Sequence, residues 1–114
     1  MHELGISESA LELALTRATE AGATRVLRIV IRVGALSGVD PEALRFAFTA
    51  IIPGTPAEGA ALQIDPIAAV AYCPGCQKDF VPDTSHFFEC PTCGRLSATV
   101  KQGRELDLVH LEMI

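Results

Sequence analysis

Positive charge is scarce in this chain of 114 residues. Nine Lys and Arg stand against fourteen Asp and Glu, giving a formal net charge of −5 and a pI near 5.0. Without a basic field to draw in phosphates, nucleic-acid binding is disfavoured. No apolar run reaches the roughly 18 residues that would mark a membrane span. The start lacks a basic stretch followed by an apolar core, so no secretory signal is expected and a cytoplasmic location is the default. Apart from a pair of cysteine knuckles there is no internal repeat, and there is no low-complexity tract. Nor is there an acid–base or nucleophile constellation of the kind a catalytic site requires, so the chain does not read as an enzyme.

What is present supports a packed core. Hydrophobic residues make up 49% of the chain, which excludes a disordered protein and allows one domain or two small ones. Residues 7–21 carry a helical stripe, with Leu11, Ala14, Leu15 and Ala18 at i, i+3, i+4 and i+7. Ser7 or Ser9 is the expected N-cap, the latter with Glu12 at capping-box spacing, and Gly22 the expected stop. "RVLRIVIRVG" reads as a strand with Leu27, Ile29, Ile31 and Val33 on one face and Arg28, Val30 and Arg32 on the other. In "GVDPEALRFAFTAIIPG", Asp40 is an N-cap, Pro41 opens a second helix, Glu42 complements its dipole, and Pro53–Gly54 end it. "GAALQIDP" is a short strand with Leu62 and Ile64 on one face. "RELDLVHLEMI" is another, whose apolar phase changes between Leu108 and Val109, predicting a bulge or a strand covered on both faces. The expected fold is α+β: a small sheet covered by two helices, with an inserted zinc-ribbon-like lobe. Residues 1–70 and 104–114 would form the first, discontinuous domain, and residues 71–103 the second.

The inserted segment holds all four cysteines. Cys73, Cys76, Cys90 and Cys93 are spaced C-x2-C-x13-C-x2-C, and each pair can set two thiolates on one tetrahedral metal. In a reducing compartment such a set reads as a structural zinc site rather than disulfides. Pro74 and Pro91 stiffen the two turns, while Gly75 and Gly94 ease them. Rubredoxin-like iron fits the same ligands. A redox pair of CxxC motifs lacks the βαβ context it usually has. Segments this short rarely sustain a core without a metal. Tyr72, Phe80, Phe87 and Phe88 supply the aromatic part of that core, since the surrounding charges form no basic face for base stacking.

Three histidines remain. His86 reads as a solvated loop residue because four thiolates already close the zinc site, and His110 as a hydrogen-bonded strand residue. His2 differs chemically. The Met1 amine, of reference pKa about 7.7–8.0, forms a five-membered chelate with the His2 amide nitrogen, and the imidazole closes a six-membered ring. Nitrogen-rich tetragonal donors suit Ni(II) or Cu(II), and Glu3 can add its amide or carboxylate.

With "MHEL", "RIVIRVGALSGVDPEALRFAF", the two CPxC knuckles and "GRELDL" in this order, nearly the whole chain resembles the HypA/HybF family of hydrogenase nickel-maturation proteins. The resemblance implies a metallochaperone that takes Ni(II) as cargo on His2, with the Met1 amine and Glu3 beside it. It also implies structural Zn(II) on Cys73, Cys76, Cys90 and Cys93. The partners implied are a HypB-type GTPase and the [NiFe]-hydrogenase large subunit, with urease maturation proteins for some members, and the chain would act as a monomer or homodimer. Histidines that flank the cysteine pairs in some members are missing here, so pH sensing through them is not expected. The competing reading is a zinc-ribbon module for protein interaction or nucleic acid, in which His2 has no task.

Overall fold

The computed structural model describes residues 2–82 and 88–114. Met1 lies outside the described residues, as do His86 and Phe87. The elements in chain order are α1 (Glu3–Glu20), β1 (Val26–Gly34), α2 (Pro41–Ile51), β2 (Ala61–Ile67), β3 (Val70–Cys73), β4 (Lys78–Phe80), β5 (Val100–Gln102) and β6 (Leu106–Met113). They build two three-stranded sheets, ordered β2-β1-β6 and β4-β3-β5. The α+β expectation holds, with two helices over the first sheet and a cysteine-bearing second sheet.

Helix α1 starts earlier than the serine caps imply. His2 is its N-cap residue, and the ladder opens with the Ile6 N–H donating to the His2 carbonyl at 3.0 Å. Ser7 is fully buried inside the first turns, its hydroxyl donating to the Leu4 carbonyl at 2.7 Å, so it cannot cap. The C-terminus behaves as expected. Gly22 sits at φ 74°, and the Ala23 N–H reaches back to the Ala18 carbonyl at 2.9 Å, which satisfies an orphan acceptor. Leu11, Ala14 and Ala18 are buried, as the stripe predicts. In α2 the Asp40 carboxylate accepts from the Glu42 and Ala43 N–H groups and Pro41 takes the first position.

Strand β1 is central. It pairs in parallel with β2 through the α2 crossover, and antiparallel with β6. The alternation read from the sequence fails at one residue. The register slips between Val26 and Arg28, so Leu27 is the odd residue out and turns to solvent while Val26 is fully buried. The core therefore takes Val26, Ile29, Ile31 and Val33 against Leu11, Leu44 and Phe48. A second slip pairs Val30 with His110 and Ile31 with Leu108, leaving Val109 as the bulged residue. This is the predicted phase change. The open face of the sheet carries Arg32–Asp107 at 2.7 Å and Arg28–Glu112 at 3.3 Å, half-exposed pairs that keep that face polar.

The two sheets meet where backbone crosses backbone. A Cβ on Gly34 would lie 2.1 Å from the Gly103 carbonyl oxygen, and one on Gly103, at φ 122°, would lie 2.8 Å from the Ala69 Cα. The Gly34 N–H donates to the Glu105 carbonyl at 2.7 Å, and the Leu36 N–H to the Gly103 carbonyl at 2.6 Å. Neither neighbour is a flexible side chain, so Gly34→Ala must push the strands apart. We expect it to cost about 1–3 kcal/mol or more, read as a lowered urea midpoint.

Candidate metal centres

Each cysteine pair sits on a tight turn. The first spans the β3–β4 hairpin, closed by the pairing of Cys73 with Lys78. The second is closed by the bridge between Glu89 and Leu96 and by the Gly94 N–H donating to the Cys90 carbonyl at 2.8 Å. In both turns the residue after the second cysteine is left-handed: Gln77 at φ 54° and Gly94 at φ 74°. Gly75 leaves room for a side chain from the other knuckle. A Cβ there would meet the Arg95 guanidinium, 2.7 Å from Nη1, because Arg95 of the second knuckle lies over the first.

The four sulfurs converge within 4.8 Å of one another. Cys73 Sγ is 3.6 Å from Cys93 Sγ, and Cys76 Sγ is 3.9 Å from Cys90 Sγ, so thiols from opposite knuckles interleave. A tetrahedron with metal–sulfur bonds of about 2.3 Å has edges of about 3.8 Å. A disulfide needs about 2.05 Å. The donor set thus fits a closed four-thiolate metal site. Cys90 ionises more readily than an ordinary thiol. N–H groups of Cys93 and then Thr92 point at its sulfur and lower its pKa to about 6, against the opposing effect of burial. Cys76 is pushed up to about 12, first by hydrogen bonding with the Cys93 thiol and then by burial. Crowded thiols resist ionising together, and a bound dication removes that resistance.

These cysteines are also most of the local core. Ala71, Cys73, Phe80 and Cys90 are its buried members, with Cys76 packed against them. Of the four aromatics read as this core, Phe80 is buried, whereas Tyr72 and Phe88 are half-buried.

His2 is exposed, and its imidazole makes no capping bond to α1. It stands at the edge of a cavity of about 430 Å³ between α1 and β6, beside Ile6, Leu106 and Asp107. Glu3 is buried, at 8% exposure, and its Oε2 accepts the Asp40 N–H at 3.2 Å. That bond ties the start of α1 to the cap of α2, and no periodicity in the sequence announces it. It also holds the Glu3 carboxyl below its ordinary 4.5. A depressed folded-state pKa contributes stability above the unfolded value and loses it as pH falls through the folded value. Glu3→Gln should therefore lower Tm at pH 7, with the gap to the native protein closing as pH drops below about 4.5. His110 is exposed on β6, its Nε2 lying 3.3 Å from Glu112 Oε2.

Four converging thiols on a small α+β scaffold are a group that could hold a metal ion, the mark of a candidate metal-binding protein. The family described as "Hydrogenase/urease nickel incorporation, metallochaperone, hypA" matches residues 1–113, and the chain belongs to this HypA family. The hydrogenase maturation factor HypA of Chloroflexus aurantiacus is 41% identical over 112 residues, 98% of each chain. That of Picosynechococcus sp. is 41% identical over 114 residues, all of both chains. In structure the chain resembles the Ni metallochaperone HypA from Helicobacter pylori, with TM-score 0.70 and 26% identity, covering 100% of this chain and 98% of the other. No helix among the described residues is long and apolar enough to cross a membrane.

Proposed function

We propose that this protein carries Ni(II) at its N-terminus and delivers it for maturation of [NiFe]-hydrogenase, without catalysing a reaction itself. The observation that carries this reading is the placement of His2: exposed at the start of α1, with an imidazole uncommitted to helix capping. The Met1 amine, the His2 amide nitrogen and the imidazole offer two fused chelate rings, a donor set that suits Ni(II). The Glu3 carboxylate is held by the Asp40 N–H, so Glu3 contributes through its amide more readily than through its side chain. Release to an acceptor is easier from an exposed residue such as His2 than from a closed cage.

In this reading Cys73, Cys76, Cys90 and Cys93 hold structural Zn(II), which closes their coordination and supplies folding energy. Residues 71–103 form a zinc domain inserted into the nickel domain of residues 1–70 and 104–114. The protein works in the cytoplasm with a HypB-type GTPase and the hydrogenase large subunit. X-ray absorption of a sample loaded with one nickel and one zinc tests the division of labour. Nickel should be surrounded by nitrogen and oxygen, and zinc by sulfur. A nickel shell dominated by sulfur overturns the assignment.

A further inference from the structure

We propose that the groove between α1 and α2 is a docking site for a basic amphipathic helix of a partner protein. The groove is a cavity of about 520 Å³ with Leu11, Leu15 and Ile51 at its floor and Glu8, Glu12 and Glu20 along its rim. All three glutamates are exposed, and no basic side chain lines the groove. Arg17, on the same helix, lies 4.0 Å from Glu20, with both side chains mostly exposed. Glu8 and Glu12 have no ion-pair partner among the described residues. They are four apart on one helix, a spacing at which like charges repel. An apolar floor under an acidic rim, in which Glu20 alone has a cationic partner, is complementary to a guest with an apolar ridge flanked by Lys and Arg.

The walls decide the guest's backbone. Most of the lining is the middle of α1, with Ile51 at the end of α2 opposite. Its N–H and C=O groups are already paired within the helix, so an extended peptide would bury its own unsatisfied. A helix brings its hydrogen bonds with it. Glu20 lies twelve positions after Glu8, about 18 Å of helix, which matches a guest of three to four turns. A second copy of this chain is disfavoured, because α1 is itself acidic and the net charge of −5 sets like against like.

The probe is a fluorescein-labelled 14-residue Leu/Lys amphipathic helix, titrated into the full zinc-loaded chain and followed by anisotropy and amide shift mapping. Binding should weaken with salt, and the shifts should centre on Leu11, Leu15 and Ile51. Glu8→Lys with Glu12→Lys should weaken it about tenfold and transfer preference to a Leu/Glu version of the probe. Thr16→Arg, at an exposed groove position, should weaken it without removing an acid. The proposal is overturned if the native chain ignores the probe, if the shifts fall on the open face of the first sheet, or if the charge swap leaves affinity unchanged. Self-association of the native chain through this groove, abolished by the same variants, overturns it too.

Discussion

Cys90→Ala should melt residues 71–103 and leave the first core standing. The substitution removes a thiol whose pKa is lowered to about 6 and leaves three donors around an open metal position. Structural zinc contributes about 10–16 kcal/mol in small zinc folds, far more than the second core can replace. That core has four buried members, of which Cys73 and Cys90 are themselves proposed ligands, leaving Ala71 and Phe80. The first core is separate and rests on Val26, Ile29, Leu44 and Phe48. Hydrogen exchange on the zinc-loaded native protein and on Cys90→Ala should therefore show protection collapsing across β3, β4 and β5. Amides of β1 and α2 should keep theirs. Chelation of the native protein should give the same pattern. Equal protection in both sheets after metal removal would mean that the cysteines do not hold the fold.

How far the sequence spoke depended on the range of the interaction. Local chemistry was legible. Asp40 and Pro41 start α2, Gly22 stops α1, and each CPxC makes a tight turn, because each depends on residues a few positions apart. That the two knuckles meet was legible only from the ligand count that one tetrahedral metal needs. The phase change at Val109 was also visible, since period-2 alternation exposes a slip within one strand. The matching slip at Leu27 was hidden, because Leu and Val are both apolar and either could have faced the core. Only pairing with Met113 and Glu112 decides between them. The start of α1 was missed for another reason. Ser7 and Ser9 satisfy a capping pattern, but the helix runs back to Glu3 because that carboxylate has a partner at Asp40, 37 residues away. The contact of Gly34 with Gly103 and the laying of Arg95 over Gly75 are likewise tertiary, and a lone glycine does not reveal its neighbour.

That local stiffening at Glu3 bears on what His2 can do. Helix α1 is fixed from its first residue, and His2 serves it through the backbone carbonyl, not through the imidazole. The α1 ladder begins with the Ile6 N–H on the His2 carbonyl, and the His2 nitrogen is not part of it. A metal that deprotonates this amide breaks no bond of the ladder. His2→Ala should therefore remove tight nickel binding, by more than about a hundredfold since a primary ligand is lost, while Tm stays unchanged. Adding one residue before Met1 is the sharper experiment. The imidazole and the fold are retained, but the terminal amine becomes a peptide nitrogen and the five-membered ring no longer ends at His2. Affinity should fall at least about tenfold. Binding should also weaken as pH drops below neutrality, because protons compete for an amine of pKa about 7.7–8.0 and an imidazole of about 6.5. Calorimetry on protein with a verified Met1 terminus, alongside the extended and His2→Ala forms, separates the cases. If the extended protein binds as tightly as the native one, the amine is not a ligand, and His2 acts through its imidazole alone.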